Sequence, residues 1–356
     1  MVKSDLSGEV VKLEERIRGE GIPADLEERL LDRLSRLAKY PDLPSFVEEI
    51  DGLGNYVDWV VSLPWRKRSD DKLDLEEAKK VLDRNHYGLA EIKDRILEYL
   101  AVMKMRREGR VKEEGGMQRF YRAPMLFFVG LVGTGKTTIA YSIAEAMGRN
   151  FVRIPFGGMG SPFDLRGQSR QHMDAEPGYV IKALRRAGTR NPVILLDEID
   201  RVTEEGRASI MGVLVELLDP EQNAAFVDHY IDWPFDLSEV LFVATANNTR
   251  DISTAVLDRL EPIAMPSYTD EEKIRIGKEY MFPKIIKEVG MDASTLVIGD
   301  EVWPMIVRPL GFDAGMRTLQ RTIDGVVRKV ARMAVEGRGV SFKITGENIK
   351  DFLPRD

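Results

Sequence analysis

Residues 125–138, MLFFVGLVGTGKTT, decide how the rest of the chain is read. An apolar run, Met125–Val129, ends in a glycine-rich turn, and a helix-forming stretch, IAYSIAEAMG, follows. Gly130, Gly133, Gly135, Lys136 and Thr137 fit the spacing G-x-x-x-x-G-K-[ST]. Glycines in such a turn let backbone N–H groups converge on phosphate oxygens with no Cβ in the way. The lysine then reaches the β- and γ-phosphates, and the Thr137 hydroxyl can ligate Mg²⁺. A glycine-rich turn that binds nothing is the alternative, but the strand before it and the helix after it favour a nucleoside triphosphate site.

Composition sets the outer limits. The 356 residues, 43% of them hydrophobic, have room for two or three domains with separate cores. A net charge of −7 gives no overall electrostatic case for nucleic acid as the main partner. With no cysteine, disulfides, zinc–thiolate sites and thiol catalysis are excluded. The three histidines, His86, His172 and His229, are scattered and do not suggest a metal cluster. No apolar run approaches a membrane span and the start is no signal peptide, so the expected location is the cytoplasm.

Along the chain, residues 9–39 have apolar positions at helical spacing, interrupted by Gly21 and Pro23, and read as a solvated helical hairpin. A third helix is expected over 45–63, and two more over 75–84 and 89–106. The charged stretch 106–122, RREGRVKEEGGMQRFYR, reads as a solvated connection, with contact to a phosphate backbone the alternative. From Pro124 the pattern becomes strand–helix–strand, with strands expected at 125–129, 151–154, 193–196, 240–244 and 263–265. These short runs lack alternation, as in a parallel sheet buried on both faces. After Pro266 only helices are expected, over 269–286, 301–309 and 316–336. The expected fold is α/β: an N-terminal helical segment (1–65), a parallel-sheet nucleotide-binding domain (66–266) and a helical lid (267–356).

Three further stretches carry chemistry. VILLDEID (193–200) delivers Asp197 and Glu198 to the carboxyl end of a strand, where open α/β sheets place ligands. Asp197 would hold Mg²⁺ and Glu198 would polarise the attacking water. VLFVATANN (240–248) ends at Asn247, either a simple turn residue or a hydrogen-bonding partner of the γ-phosphate or the attacking water. Arg259, in LDR (257–259), has no evident buried partner and could reach a neighbouring subunit's γ-phosphate.

The combination of GLVGTGKTT, LLDEID, ATANN and LDRLE resembles an AAA+ ATPase. YVDWVVSLPW (56–65), NHYGLAEIKDRILEYLAV (85–102), GRNFVRIPFGG (148–158) and DAGMRTLQRTI (313–323) narrow the resemblance to the ATPase module of Lon proteases, over nearly the whole chain. It implies ATP and Mg²⁺ as cofactors. The Walker A loop is then Gly130, Gly133, Thr134, Gly135, Lys136, Thr137 and Thr138, and the Walker B pair is Asp197 and Glu198. Asn247 matches the sensor-1 asparagine, Arg259 an arginine finger acting in trans, and Arg317 the sensor-2 arginine of the lid. His86, Tyr87 and Gly88 match the segment beside the adenine. The resemblance also implies a homo-oligomeric ring, usually a hexamer, that threads unfolded protein.

Three departures bear on use. The Lon serine–lysine dyad has no counterpart, so no peptide cleavage is expected, and a separate peptidase is a conceivable partner. In the first pore loop, His172, Met173 and Asp174 replace an aromatic–aliphatic–glycine step; His172 and Met173 either still grip substrate, more weakly, or do not. The second pore-loop region, TEEGRASIMG (203–212), lacks the expected aromatic. Leu131 and Val132 stand where prolines are common and are expected to face away from the phosphates. A protein-remodelling ATPase is the leading expectation; a nucleotide-gated scaffold and a DNA-acting motor are the alternatives, the last disfavoured by charge.

Overall fold

A computed structural model describes residues 2–19, 21–39, 46–108, 125–172, 174–308 and 316–353. Most of the 106–122 stretch and Met173 lie outside the described residues.

Three helices come first: α1 (Val2–Gly19), α2 (Ala24–Ala38) and α3 (Phe46–Ser62). Leu26, Leu30 and Leu34 of α2 are buried against Leu13 and Ile17 of α1 and Ile50, Leu53 and Val57 of α3. This corrects the solvated hairpin. The third helix completes a small core, and that core runs on without a break into one face of the sheet. The Tyr56 hydroxyl donates to the Ile231 carbonyl across this junction (2.7 Å). Two further helices follow, α4 (Leu75–Asn85), capped by Asp74, and α5 (Ala90–Arg107).

The α/β part runs β1 (Met125–Val129), α6 (Lys136–Met147), β2 (Phe151–Pro155), α7 (Phe163–Arg166), α8 (Tyr179–Ala187) and β3 (Val193–Asp197). It continues through α9 (Arg207–Leu218), α10 (Pro220–Asn223), a small hairpin of β4 (Phe226–Val227) and β5 (Pro234–Phe235), β6 (Leu241–Ala246), α11 (Thr254–Leu257) and β7 (Leu260–Ala264). Five strands form one parallel sheet in the order β2-β3-β6-β1-β7. Both faces are covered: Met125 and Phe127 of β1 join the core beneath α1–α3 and α8, while Leu126 and Phe128 join α4, α5 and α6. Strand β7 starts three residues earlier than expected, because Pro262 breaks the apolar run. As the sheet's edge strand, β7 can carry a residue without an N–H.

The lid comprises α12 (Asp270–Ile276), joined through one π turn to α13 (Phe282–Val289), then β8 (Leu296–Ile298), α14 (Trp303–Val307), α15 (Met316–Val335), β9 (Phe342–Ile344) and α16 (Ile349–Phe352). Thr269 and Glu272 form a capping box at the start of α12. The lid has its own core around Trp303, Leu319, Ile323 and Val327. Strands β8 and β9 pair in parallel, which corrects the expectation of helices alone after Pro266. At three residues each, they are too short to show a period in sequence.

The connection between α3 and α4 is fastened by a buried ion pair. Arg149 donates Nε and Nη2 to the two oxygens of Asp71 (2.7 and 2.8 Å), and both side chains are about as buried as core leucines, at 5% and 6% exposure. Removing one partner strands a charge in the interior. Asp71→Ala is therefore expected to cost about 3–5 kcal/mol of unfolding free energy in urea denaturation; a loss under about 1 kcal/mol, the range of an exposed pair, would contradict this.

Candidate active site

The parallel register levels the carboxyl ends of three adjacent strands: Ala244 of β6 stands opposite both Phe127 of β1 and Leu196 of β3. The turn after β1, the acids after β3 and the end of β6 therefore meet. At Gly130 an added Cβ would lie 2.6 Å from the Met265 carbonyl oxygen, so only glycine fits between β1 and β7. Gly135 has φ 94°, in the left-handed region where a Cβ is strained, and it opens α6. The buried Lys136 ammonium donates to the carbonyls of Gly130 (2.5 Å) and Leu131 (3.0 Å) and to Asn247 Oδ1 (3.1 Å). Burial lowers its pKa, opposed by the nearby charges of Asp197, Asp200 and Glu198.

Because the Asn247 oxygen faces an ammonium, its amide nitrogen is turned the other way, where it is buried with no acceptor. A phosphate oxygen or an ordered water would satisfy such a donor. Asp197, 4% exposed, accepts from the Thr245 hydroxyl (2.5 Å) and from Arg153 Nε (2.6 Å). Glu198 follows with φ 58° and ψ 50°, a left-handed conformation that costs a non-glycine residue about 1 kcal/mol or more. Its N–H donates to the same Thr245 hydroxyl (2.9 Å), so one side chain orients both acids. Asp200, 7% exposed, accepts from the backbone N–H groups of Asn247 (3.0 Å) and Asn248 (3.2 Å) and tethers the end of β6 to the turn after β3. Sequence reasoning passed over Arg153, Thr245 and Asp200. The available signals were the last acid of VILLDEID and the same-face spacing of Thr245 and Asn247 on a strand.

A cleft of about 1210 Å³ lies over these groups, between sheet and lid. Gly133, Gly135, Lys136, Thr137, Thr138, Asp197, Glu198 and Arg317 line it, as do His86 and Tyr87. Gly130, Thr134, Gly88, Asn247 and Arg259 do not. Val132 lines it and Leu131 does not. Lid and turn are joined where the Met316 N–H donates to the Gly133 carbonyl (3.0 Å), one residue before Arg317. Arg259 has a partner after all: its Nη2 donates to Asp219 (2.9 Å), which also caps α10. Those partners are distant in sequence, so the pair could not be read there. His172 is exposed in a short turn. The neck of its loop is held by Gln168 N–H on the Glu176 carbonyl (3.1 Å) and Gly178 N–H on buried Asp228 (2.8 Å).

Hard oxygen donors suit Mg²⁺ here, but among the described residues no group of three or more His, Cys, Asp or Glu side chains could hold a metal by itself. That fits a cation carried in with a triphosphate. No described helix is long and apolar enough to cross a membrane.

Sheet order, phosphate-loop geometry and strand-end acids together define a P-loop nucleoside triphosphatase with a helical lid. Residues 126–267 match the family model for the ATPase family associated with various cellular activities (AAA), and residues 287–342 match the Lon protease AAA+ ATPase lid domain. Lon protease 2 of Thermus thermophilus is 43% identical over 92% of this chain and 40% of its own length. Lon protease of Lawsonia intracellularis is 41% identical over 98% of this chain and 40% of its own length. Lon protease 1 of Bacillus subtilis is 41% identical over 99% of this chain and 43% of its own. The chain belongs to the AAA+ ATPases of the Lon family, and it spans about 40% of the length of these relatives.

Two outcomes follow from the geometry. Thr245→Val, which keeps shape but removes the hydroxyl shared by Asp197 and Glu198, is expected to cost about 1–3 kcal/mol in denaturant titration, whereas Thr245→Ser costs less; equal losses would contradict the shared role. His86 is buried beside the Lys93 ammonium, and its pKa is pushed down to about 4. The unfolded chain therefore takes up this proton first as pH falls below about 6.5. Stability is full above that pH and declines towards pH 4, with roughly 2 kcal/mol lost by pH 5. His86→Gln is expected to remove that increment from the difference in unfolding free energy between pH 7.5 and 5.0; an unchanged difference would show that His86 does not titrate this way.

Proposed function

We propose that the chain is the ATP-hydrolysing unit of a ring that remodels or unfolds protein substrates. The observation that carries the reading is the meeting of Lys136, Asp197, Glu198 and Arg317 at one cleft, with Asn247 Oδ1 accepting from Lys136 and the Asn247 amide nitrogen buried without an acceptor. The glycine turn and Lys136 bind and neutralise the β- and γ-phosphates. Thr137 and Asp197 would hold Mg²⁺, which when bound supplies positive charge across the phosphate oxygens. Glu198, its side chain 22% exposed and its backbone fixed by Thr245, accepts the proton of the attacking water. The Asn247 amide orients that water or the γ-phosphate. Arg317 reports from the lid, since it follows the residue bonded to the phosphate turn. His86 and Tyr87 form the wall on the base side.

Arg259 does not line its own chain's cleft, which favours action on a neighbour's γ-phosphate in a head-to-tail ring. A hexamer is the ring size expected of the family. The substrate is a protein in an unfolded state, gripped at the exposed His172 with Met173. The family models matched are those of an ATPase domain and its lid, and the proposed activity is ATP hydrolysis without peptide cleavage by this chain.

Phosphate release from ATP by the purified chain, with and without an unfolded protein, tests the reading. Stimulation by the unfolded protein but not by DNA is expected, and His172→Ala should reduce it. Turnover that ignores both would favour a nucleotide-gated scaffold. Arg259→Ala is expected to lower turnover by about 10³-fold while leaving ATP binding intact; a binding defect without a rate defect would contradict action in trans.

A further inference from the structure

Asp197 has both of its oxygens engaged by the protein itself. Thr245 donates to Oδ1, a bond that can persist beside another ligand because each carboxylate oxygen carries two lone pairs. Arg153 Nε donates to Oδ2 at 2.6 Å, a charge-assisted bond. The partners are unequal in exposure: the Asp197 side chain is 5% exposed and that of Arg153 51%, so the arginine caps the carboxylate from the solvent side. Arg153 projects from the exposed face of β2, one strand over from Asp197, and lines the same cleft as Lys136 and Thr137. Only Nε is used, and the guanidinium's other nitrogens have no acceptor among the described residues. A structural arginine clamp normally spends two nitrogens on its carboxylate, as Arg149 does on Asp71. A single bond from a half-exposed arginine is easily exchanged.

We propose that Arg153 is a built-in rival of the divalent cation for Asp197: it neutralises the carboxylate and must release Oδ2 before a metal–nucleotide complex can engage that oxygen. The proposal rests on the nucleotide-site reading above. Arg153 is thus a positioning residue that sets how much Mg²⁺ the site requires, because metal binding is measured against an ion pair that has to be broken. Its effect lies on metal affinity and is separable from hydrolysis.

The test titrates Mn²⁺ into the full chain saturated with ADP and follows the bound metal by electron paramagnetic resonance. Arg153→Met keeps the aliphatic stem and removes the charge. It is expected to raise Mn²⁺ affinity about threefold or more, the scale of a partly exposed ion pair. Arg153→Lys keeps a cation and is expected to stay near wild type, while Arg153→Gln, which also removes the charge, is expected to raise the affinity as Arg153→Met does and serves if the methionine variant folds poorly. In an Asp197→Asn background the effect of Arg153→Met should vanish. Equal or weaker Mn²⁺ binding by Arg153→Met overturns the proposal while leaving the nucleotide site standing. Failure of the wild-type chain to bind ADP overturns both.

Discussion

The ammonium of Lys136 sits among the carbonyls of Gly130 and Leu131 and the side chain of Asn247, and so joins the turn after β1 to the end of β6. That contact exists only because β1, β3 and β6 are neighbours in parallel register with their carboxyl ends level. A shift of one residue in any of the three would turn its side chains to the opposite face of the sheet. The two-sided core prevents such a shift, since successive residues of β1 fill different clusters. Hydrophobic packing therefore sets the position of the charged groups to within hydrogen-bond distance. The chemistry follows from that alignment.

Within the site, polar bonds replace what solvent would otherwise supply. Asp197, Glu198 and Asn247 are held through Thr245 and Asp200, two side chains with no place in the phosphate-binding motif itself. Such a network is favourable only when nearly every member is paired. Here the exceptions are the Asn247 amide nitrogen and one oxygen of Asp200, both buried. The lid stands on its own core and reaches the phosphate turn by the bond from Met316 to Gly133. A rigid sheet edge thus faces a separately packed unit that carries Arg317, an arrangement in which relative motion would change the site without disturbing either core.

Much of this was legible in sequence because it depends on local rules. The phosphate turn needs glycines at set spacing, buried parallel strands read as unbroken apolar runs, and Gly148 closing α6 is an ordinary left-handed helix end. What stayed hidden depends on contacts between distant residues. Pro262 masked the start of β7 because edge position is a property of the sheet and not of the strand. The pairs β8 with β9, Arg259 with Asp219, and Asp197 with Arg153 and Thr245 each join residues about 40 or more positions apart. The N-terminal helices looked solvated because their apolar stripes find cover only when the third helix and the sheet are present. Within the site, the motif residues were named from sequence, while the side chains that orient them were not.

In the proposed mechanism Glu198 performs the proton transfer, while Lys136 and the glycine turn bind the nucleotide independently of it. Glu198→Gln keeps size and hydrogen bonding but removes the base, so it separates the two roles. Phosphate release and equilibrium ATP binding, measured on the same preparation, test this most directly. Glu198→Gln is expected to retain ATP with wild-type affinity or tighter while turnover falls by about 10²-fold or more. Turnover at the wild-type rate, or loss of binding along with turnover, would contradict it.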